Sequence, residues 1–382
     1  MDKKRKGFLG VLSIALVALV SAFLIFRYNG VFLELASSLA VKSAARYLPS
    51  AVSILGETQK SKTVGKTVDE TEEEQTVPQE TTKAVSKPMT KQEEDFYSVP
   101  GDILEMIEAA KEKAASDKKD GAISEITYTN EGVTNKSGIV KVKNTNKTQI
   151  DVAKLLEEKA DLTVEKDKPA VLIFHTHTTE SYQTLDRDFY AVGSTSRNND
   201  LSKNMVRVGD AICAELEKAG YIVIHDKNIY DKKYNGAYSR SRQAVAENLK
   251  KYPSIQVTLD IHRDAIQTSN GTKIKPTANL NGKKAAQVMI ISGCQEEGNS
   301  VEDFPDWRYN LIFALKLQEK MEGAFPSLTR PIFFCPRRYN MNMTRCSLLL
   351  EVGSDSNTLE EAYISGKCIG KALSDLLEDY TQ

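Results

Sequence analysis

The sequence predicts an α/β domain at residues 165–382, a mostly parallel sheet covered by helices on both faces, tethered behind an N-terminal transmembrane helix. Three observations predict it. Six short apolar runs lie at 170–174, 221–224, 255–261, 287–292, 331–334 and 347–350. Helix-length amphipathic segments at 201–219, 236–251, 305–323 and 359–378 alternate with them. Buried strands separated by such helices form a parallel sheet between helix layers. The third observation is a 19-residue uncharged apolar run, 8–26, between Lys3-Lys4-Arg5-Lys6 and Arg27.

Taken in order, residues 1–27 read as a cytoplasmic stub and membrane anchor. A helix rising about 1.5 Å per residue crosses most of a roughly 30 Å hydrocarbon core over that run. The basic flank keeps the N-terminus in the cytoplasm, so everything after Arg27 is expected to be extracytoplasmic on a single-pass protein of the cell membrane. A cleaved signal peptide is the competing reading. Its apolar region usually runs about 7–15 residues before a small-x-small site, and no such site directly follows here.

Residues 28–56 alternate apolar and small residues with Glu34, Lys42 and Arg46. That spacing fits a juxtamembrane amphipathic helix or a short packing helix. Residues 57–95 carry no aromatic before Phe96 and are rich in Thr, Glu, Lys, Gln and Pro. They bury too little apolar surface to offset ordering entropy and read as a disordered linker. Residues 96–164 read as an accessory region, with a helix at 101–115, strands at 123–128 and 137–142, and a helix after Thr148.

Composition narrows the function classes. With 51 basic and 52 acidic residues the net charge is −1, so no global field draws the chain to nucleic acid. The five cysteines, Cys213, Cys294, Cys335, Cys346 and Cys368, form no C-x-x-C pair and read as ordinary thiols. No G-x-S-x-G elbow marks a serine hydrolase.

Chemistry concentrates where predicted strands end, the rim at which open α/β sheets bind ligands. The run 170–174 leads into His175-Thr176-His177-Thr178-Thr179-Glu180. The run 255–261 carries Asp260 and leads into His262-Arg263-Asp264, and 348–350 leads into Glu351. Catalytic zinc commonly takes three imidazole or carboxylate ligands and leaves a fourth position open. His177 and His262 with a carboxylate supply such a set, with His175 and Glu180 open as either ligands or ordinary hydrogen-bonding groups. Glu351, after three leucines, is placed to be a general base, because a buried carboxylate needs a compensating partner. Asp260 and Asp264 bracket His262 and are candidates to orient its ring, or to pair with Arg263. His225 stands apart from any motif and reads as structural.

The HTHTTESY segment at 175–182, DIHRD at 260–264 and LLLEVGSDSNTLEEA at 348–362 together resemble the stage II sporulation protein P family. The resemblance implies a membrane-anchored peptidoglycan hydrolase, an N-acetylmuramoyl-L-alanine amidase with cross-link endopeptidase activity, acting in septal thinning and engulfment. It implies Zn2+ as cofactor, a zinc amidase-like fold, and stage II sporulation proteins D and M as partners. Carried over by motif, it implies His177 and His262 as zinc ligands and Glu351 as the acid–base carboxylate. Cell-wall amidases usually draw a third ligand from a Glu opening the helix after the first strand. Here that stretch reads Arg197-Asn198-Asn199-Asp200, so Glu180 or Asp200 has to replace it. His175 ranks as an alternative ligand or a substrate-facing group. A non-catalytic wall-binding scaffold that keeps the fold is the alternative from another class.

Overall fold

The computed structural model describes residues 89–296 and 301–382. The expected anchor, juxtamembrane segment and most of the linker lie outside the described residues, among which no helix is long and apolar enough to cross a membrane. The described residues belong to one compact unit.

In chain order the elements are α1 (Lys91–Phe96), α2 (Gly101–Ala114), β1 (Lys119–Ile126), β2 (Asn135–Ser137), β3 (Val140–Asn144), α3 (Val152–Glu157), β4 (Pro169–Phe174), β5 (Phe189–Ala191), α4 (Met205–Lys218) and β6 (Ile222–His225). Then follow α5 (Ala237–Lys251), β7 (Val257–Asp264), β8 (Lys273–Leu280), β9 (Lys283–Ala286), β10 (Val288–Gly293), α6 (Trp307–Ala324), β11 (Ile332–Cys335), β12 (Cys346–Ser354) and α7 (Leu359–Glu378).

Eight strands make the main sheet in the order β2-β3-β11-β10-β12-β7-β4-β6. Most of its pairings are parallel, as expected, but the sheet is mixed, because β10 runs antiparallel to β12 and β2 antiparallel to β3. The cause is the connection. A parallel return needs a crossover, usually a helix, but β7 reaches β10 through the β8–β9 hairpin and so arrives reversed. On the far side of that junction β12, β7, β4 and β6 are all parallel neighbours.

Each central strand alternates between two cores. Val171 and Ile173 of β4 enter the large cluster with Met205, Val208 and Ile212 of α4, while Leu172 and Phe174 join Val245 of α5 and Ile255. That period of two is what a strand buried on both faces requires. Residues from α3, α4, α6 and α7 all enter the large cluster. The opposite face is covered by α5 and by loop residues such as Phe304 and Met341. Helices therefore lie on both faces, but unequally, and the thinly covered face is the one that carries the chemistry.

The stretch read as an accessory region is woven into this unit. Its β3 pairs in parallel with β11, and β1 pairs with β8 in a second, four-stranded sheet, β5-β1-β8-β9. Short strands with one apolar face gain stability only when docked on a larger sheet. The end of the expected linker is also ordered, since Thr90 and Glu93 close a reciprocal capping box on α1. All five cysteines are buried and unpaired.

Candidate metal centre

Because β4, β7 and β12 are adjacent and parallel, their C-terminal ends share one rim, and the three segments singled out in the sequence meet there. Ile261 of β7 and Leu350 and Val352 of β12 point into the large helical core. His262 and Glu351 are therefore directed to the opposite face. They are also register partners across the β7–β12 pair.

His177, Glu180 and His262 form the one metal-competent group found among the described residues, with donor atoms all within 4.8 Å of one another. His177 Nδ1 lies 3.4 Å from Glu180 Oε1, and His262 Nδ1 lies 3.4 Å from Glu180 Oε2. A tetrahedral zinc with bonds of about 2.0–2.1 Å sets its donors roughly 3.4 Å apart; each imidazole lies that far from one of the two Glu180 oxygens, and the two-imidazole, one-carboxylate chemistry fits that ion. All three side chains are buried.

The charges around the cluster favour an ionised Glu180. Burial alone would raise its carboxyl, but His177, His262 and Arg263 outweigh it and hold Glu180 well below the usual carboxylate range. Burial likewise opposes a charged His262, yet Asp260 and Glu180 raise it well above the ordinary imidazole value. Asp260 Oδ1 stands 2.9 Å from His262 Nε2. Asp260 is itself fixed by Thr176, whose backbone N–H donates to Oδ1 at 2.8 Å and whose hydroxyl donates to Oδ2 at 2.6 Å. A carboxylate behind a ligating imidazole sets the ring's orientation and basicity.

Glu351 differs from every other acid nearby. Its Oε2 is cut off from solvent and has no hydrogen-bond partner. Burial pushes its carboxyl up to about 8; His262 opposes the shift, and the charges of Asp264 and Glu180 add to it. The β7–β12 register slips between Glu351 and Ser354, where Gly353 adopts φ 66. A bulge of this kind bends a strand and re-aims the side chain beside it. A Cβ at Gly353 would also lie 2.5 Å from Asn357 Oδ1, so this turn is built for glycine.

The remaining candidates separate clearly. His175 Nδ1 is 3.1 Å from the Ile261 carbonyl, to which it donates, and Nε2 is 2.9 Å from His225 Nε2. Both ring nitrogens are engaged, leaving no donor for an ion, and burial followed by His225 keeps His175 well below its ordinary value and so neutral. Asp200 is exposed and bonded to Ser202, away from the cluster. Arg263 pairs with neither neighbouring aspartate side chain: it donates to the carbonyls of Ser181, Ser196 and Asp264, while Asp264 pairs with Arg330 at 2.9 Å. His225, read as structural, is the partner of His175 and faces Asp210 at 3.1 Å.

The sequence alone gives Arg197 no role. Its backbone pairs with Glu180, its guanidinium Nη2 lies 3.6 Å from Glu180 Oε1, and Nη1 bonds to Asp231 and Thr179. The stretch that offers Asp200 as an alternative ligand instead contributes Arg197 as a partner of Glu180. The sequence signal was the H-x-x-E spacing of His177 and Glu180. Asp231 lies in a loop with no motif, and only the folded chain reveals it.

The family model described as stage II sporulation protein P (SpoIIP) matches residues 43–374. The chain belongs to that family. A stage II sporulation protein P of Bacillus subtilis (strain 168) is 29% identical over 229 residues, 56% of this chain and 52% of the relative. The chain thus matches about half the length of that curated relative. Among solved structures, N-acetylmuramoyl-L-alanine amidase AmiC2 of Nostoc punctiforme aligns with 56% of this chain and 96% of its own at 11% identity and a TM-score of 0.33. The CwlD amidase of Clostridioides difficile, solved with the GerS lipoprotein, aligns with 55% and 98% at 16% identity and a TM-score of 0.32.

Proposed function

We propose that this chain is a membrane-anchored, zinc-dependent peptidoglycan hydrolase of sporulation. In this reading it is an N-acetylmuramoyl-L-alanine amidase that also cuts peptide cross-links, acting in septal thinning and engulfment with stage II sporulation proteins D and M. Family membership supports the setting. The observation that carries the chemistry is the convergence of His177, Glu180 and His262 beside Glu351, a carboxyl with a buried, unpartnered oxygen.

His177, Glu180 and His262 would hold the zinc. When bound, the ion supplies Lewis acidity for the scissile carbonyl. Glu351 takes the proton of the attacking water and returns it to the leaving amine, a task suited to a carboxyl raised toward neutral pH. Asp260 and Thr176 keep His262 in place, and Arg197 and the Arg263 backbone N–H, 3.3 Å from Oε2, hold Glu180. The wall-binding scaffold gains no support from this arrangement. A binding surface has no need to leave a buried carboxylate oxygen without a partner, which costs free energy.

The test is digestion of purified sacculi followed by mass spectrometry of the products, with and without a chelator. The amidase reading expects free stem peptides and denuded glycan, both suppressed by chelation and restored by zinc. Fragments cut only within cross-links would replace it with an endopeptidase, and chelator-insensitive cutting would contradict the metal.

A further inference from the structure

Three tyrosines outside the donor set gather against it. Tyr234 lies in the loop before α5, Tyr238 on the first turn of α5, and Tyr339 in the loop after β11. The Tyr234 ring centroid is 4.8 Å from that of His177. Tyr238 is 5.6 Å from His177 and stacks on His262 at 6.3 Å with 10° between planes. Tyr339 is 5.4 Å from Tyr238. The rings form one aromatic strip running from the buried imidazoles out to the surface.

Two features separate this strip from ordinary core packing. Tyr234 is 62% exposed, so its ring gains little from burial where it stands. Tyr339 and Asn340 both adopt left-handed backbone, at φ 44 and 61, although neither is glycine. Such residues cost free energy and persist where the surroundings over-determine them, typically at working sites. Here the restraint is visible. Asn340 Nδ2 donates to the Tyr238 carbonyl at 2.9 Å and lies 3.2 Å from Ser241 Oγ, tying the strained loop to α5 beside Tyr238. Arg197 closes the outer edge, its guanidinium 5.3 Å above the Tyr234 ring.

We propose that Tyr234, Tyr238 and Tyr339 form a sugar-binding platform that seats the glycan strand of the substrate beside the donor cluster. The proposal rests on the amidase reading, in which the scissile amide joins a sugar-borne lactyl group to a peptide, so a sugar must sit next to the donors. One face of a pyranose is a patch of slightly positive C–H groups. It complements the negative face of an aromatic ring, as in other ring contacts of opposite polarity. An extended peptide would be held by an open strand edge, whereas these loops offer ring faces and a guanidinium. The rings read sugar.

The experiment uses the full chain carrying Glu351→Gln, so that nothing is hydrolysed, and measures calorimetric binding of two probes. One is a short peptide-free glycan strand of alternating N-acetylglucosamine and N-acetylmuramic acid, the other the free stem peptide. Tyr234→Ala removes an exposed ring, and Tyr339→Gly removes a ring while suiting the left-handed backbone, so thermal melting should stay within a few degrees of the parent. The double substitution is expected to weaken glycan binding roughly tenfold and to leave stem-peptide binding unchanged. Phe at both positions should restore glycan binding, and with Glu351 intact the Ala/Gly pair should raise KM with little change in kcat.

Glycan binding that ignores the substitutions overturns the platform, as does a loss confined to the stem peptide. The two readings fail separately. Ring-dependent glycan binding by a chain that cleaves no muramoyl amide supports the platform and removes the amidase, whereas cleavage with ring-independent glycan binding does the reverse.

Discussion

Glu351 on β12 and His262 on β7 are direct register partners across a parallel strand pair, both turned to the thinly covered face of the sheet. One is a proposed ligand, the other a carboxyl with a buried, unpaired oxygen. Two rigid strands therefore fix the distance between the ion's intended place and the acid–base group, with no loop in between. Sites built on sheet strands hold their geometry better than sites on loops.

Glu351→Gln should lower hydrolysis of sacculi at least about a hundredfold, the usual scale for losing a positioned acid–base group. Zinc content should remain that of the parent, because Glu351 is outside the donor set. Activity within threefold of the parent would remove it from the mechanism.

The same carboxyl gives a pH dependence to stability in metal-free protein. Its folded value is raised from 4.5 to about 8, so the folded state binds the proton more tightly than the unfolded one. Its contribution is fully present below about pH 4.5 and is lost as pH rises through about 8. Chelated protein should melt at progressively lower temperature across that window after other titrations are subtracted, and Glu351→Gln should flatten the trend. An identical pH profile in the two proteins would contradict the raised value.

Glu180 and Asp200 were rival third ligands, and the fold separates them. Glu180→Ala should abolish tight zinc binding, while Asp200→Ala, removing an exposed carboxylate bonded to Ser202, should leave zinc stoichiometry and hydrolysis near those of the parent. Titration with a competing chromophoric chelator reads both.

Gly209 on α4 faces the His175–His225 pair so closely that a Cβ would lie 2.4 Å from His225 Nε2 and 2.8 Å from His175 Nε2. Gly209→Ala should destabilise the fold by about 1–3 kcal/mol through overpacking, visible as a lower Tm. Displacing His175 also disturbs the segment carrying His177, so zinc affinity should fall with it. An unshifted Tm would show that the helix backs away freely.

Much of this was legible before folding. All six strands expected between 170 and 350 form, with ends shifted by a few residues, and so do the four helices expected between and after them. Continuous apolar runs declare themselves because both faces of these strands are buried. The β8–β9 hairpin is absent from the sequence expectation, although Asn281-Gly282 at its tip is a strong turn signal and Asn281 does adopt φ 55. Pro276 argues against a strand, and Lys275 sits where an apolar residue is expected. Lys275 is nonetheless buried, paired with Glu361, Asp186 and Glu125, an exception that pattern reading cannot anticipate. Missing that hairpin hid the reversal of β10. At the site, His262 and Glu351 declare themselves because each ends or interrupts an apolar run, and His177 and Glu180 because they follow one within a few residues. Arg197, Tyr234 and Tyr339 arrive from loops and Tyr238 from the first turn of α5, and their meeting place depends on the whole topology.

The most direct test of the account is the zinc content of the purified full chain, by elemental mass spectrometry, alongside His177→Ala, Glu180→Ala, His262→Ala and Glu351→Gln. The account predicts about one zinc per chain in the parent and in Glu351→Gln, with loss of the ion in the other three. Parent protein that stays metal-free under zinc-replete conditions, or that keeps its zinc when any of the three donors is removed, would contradict it.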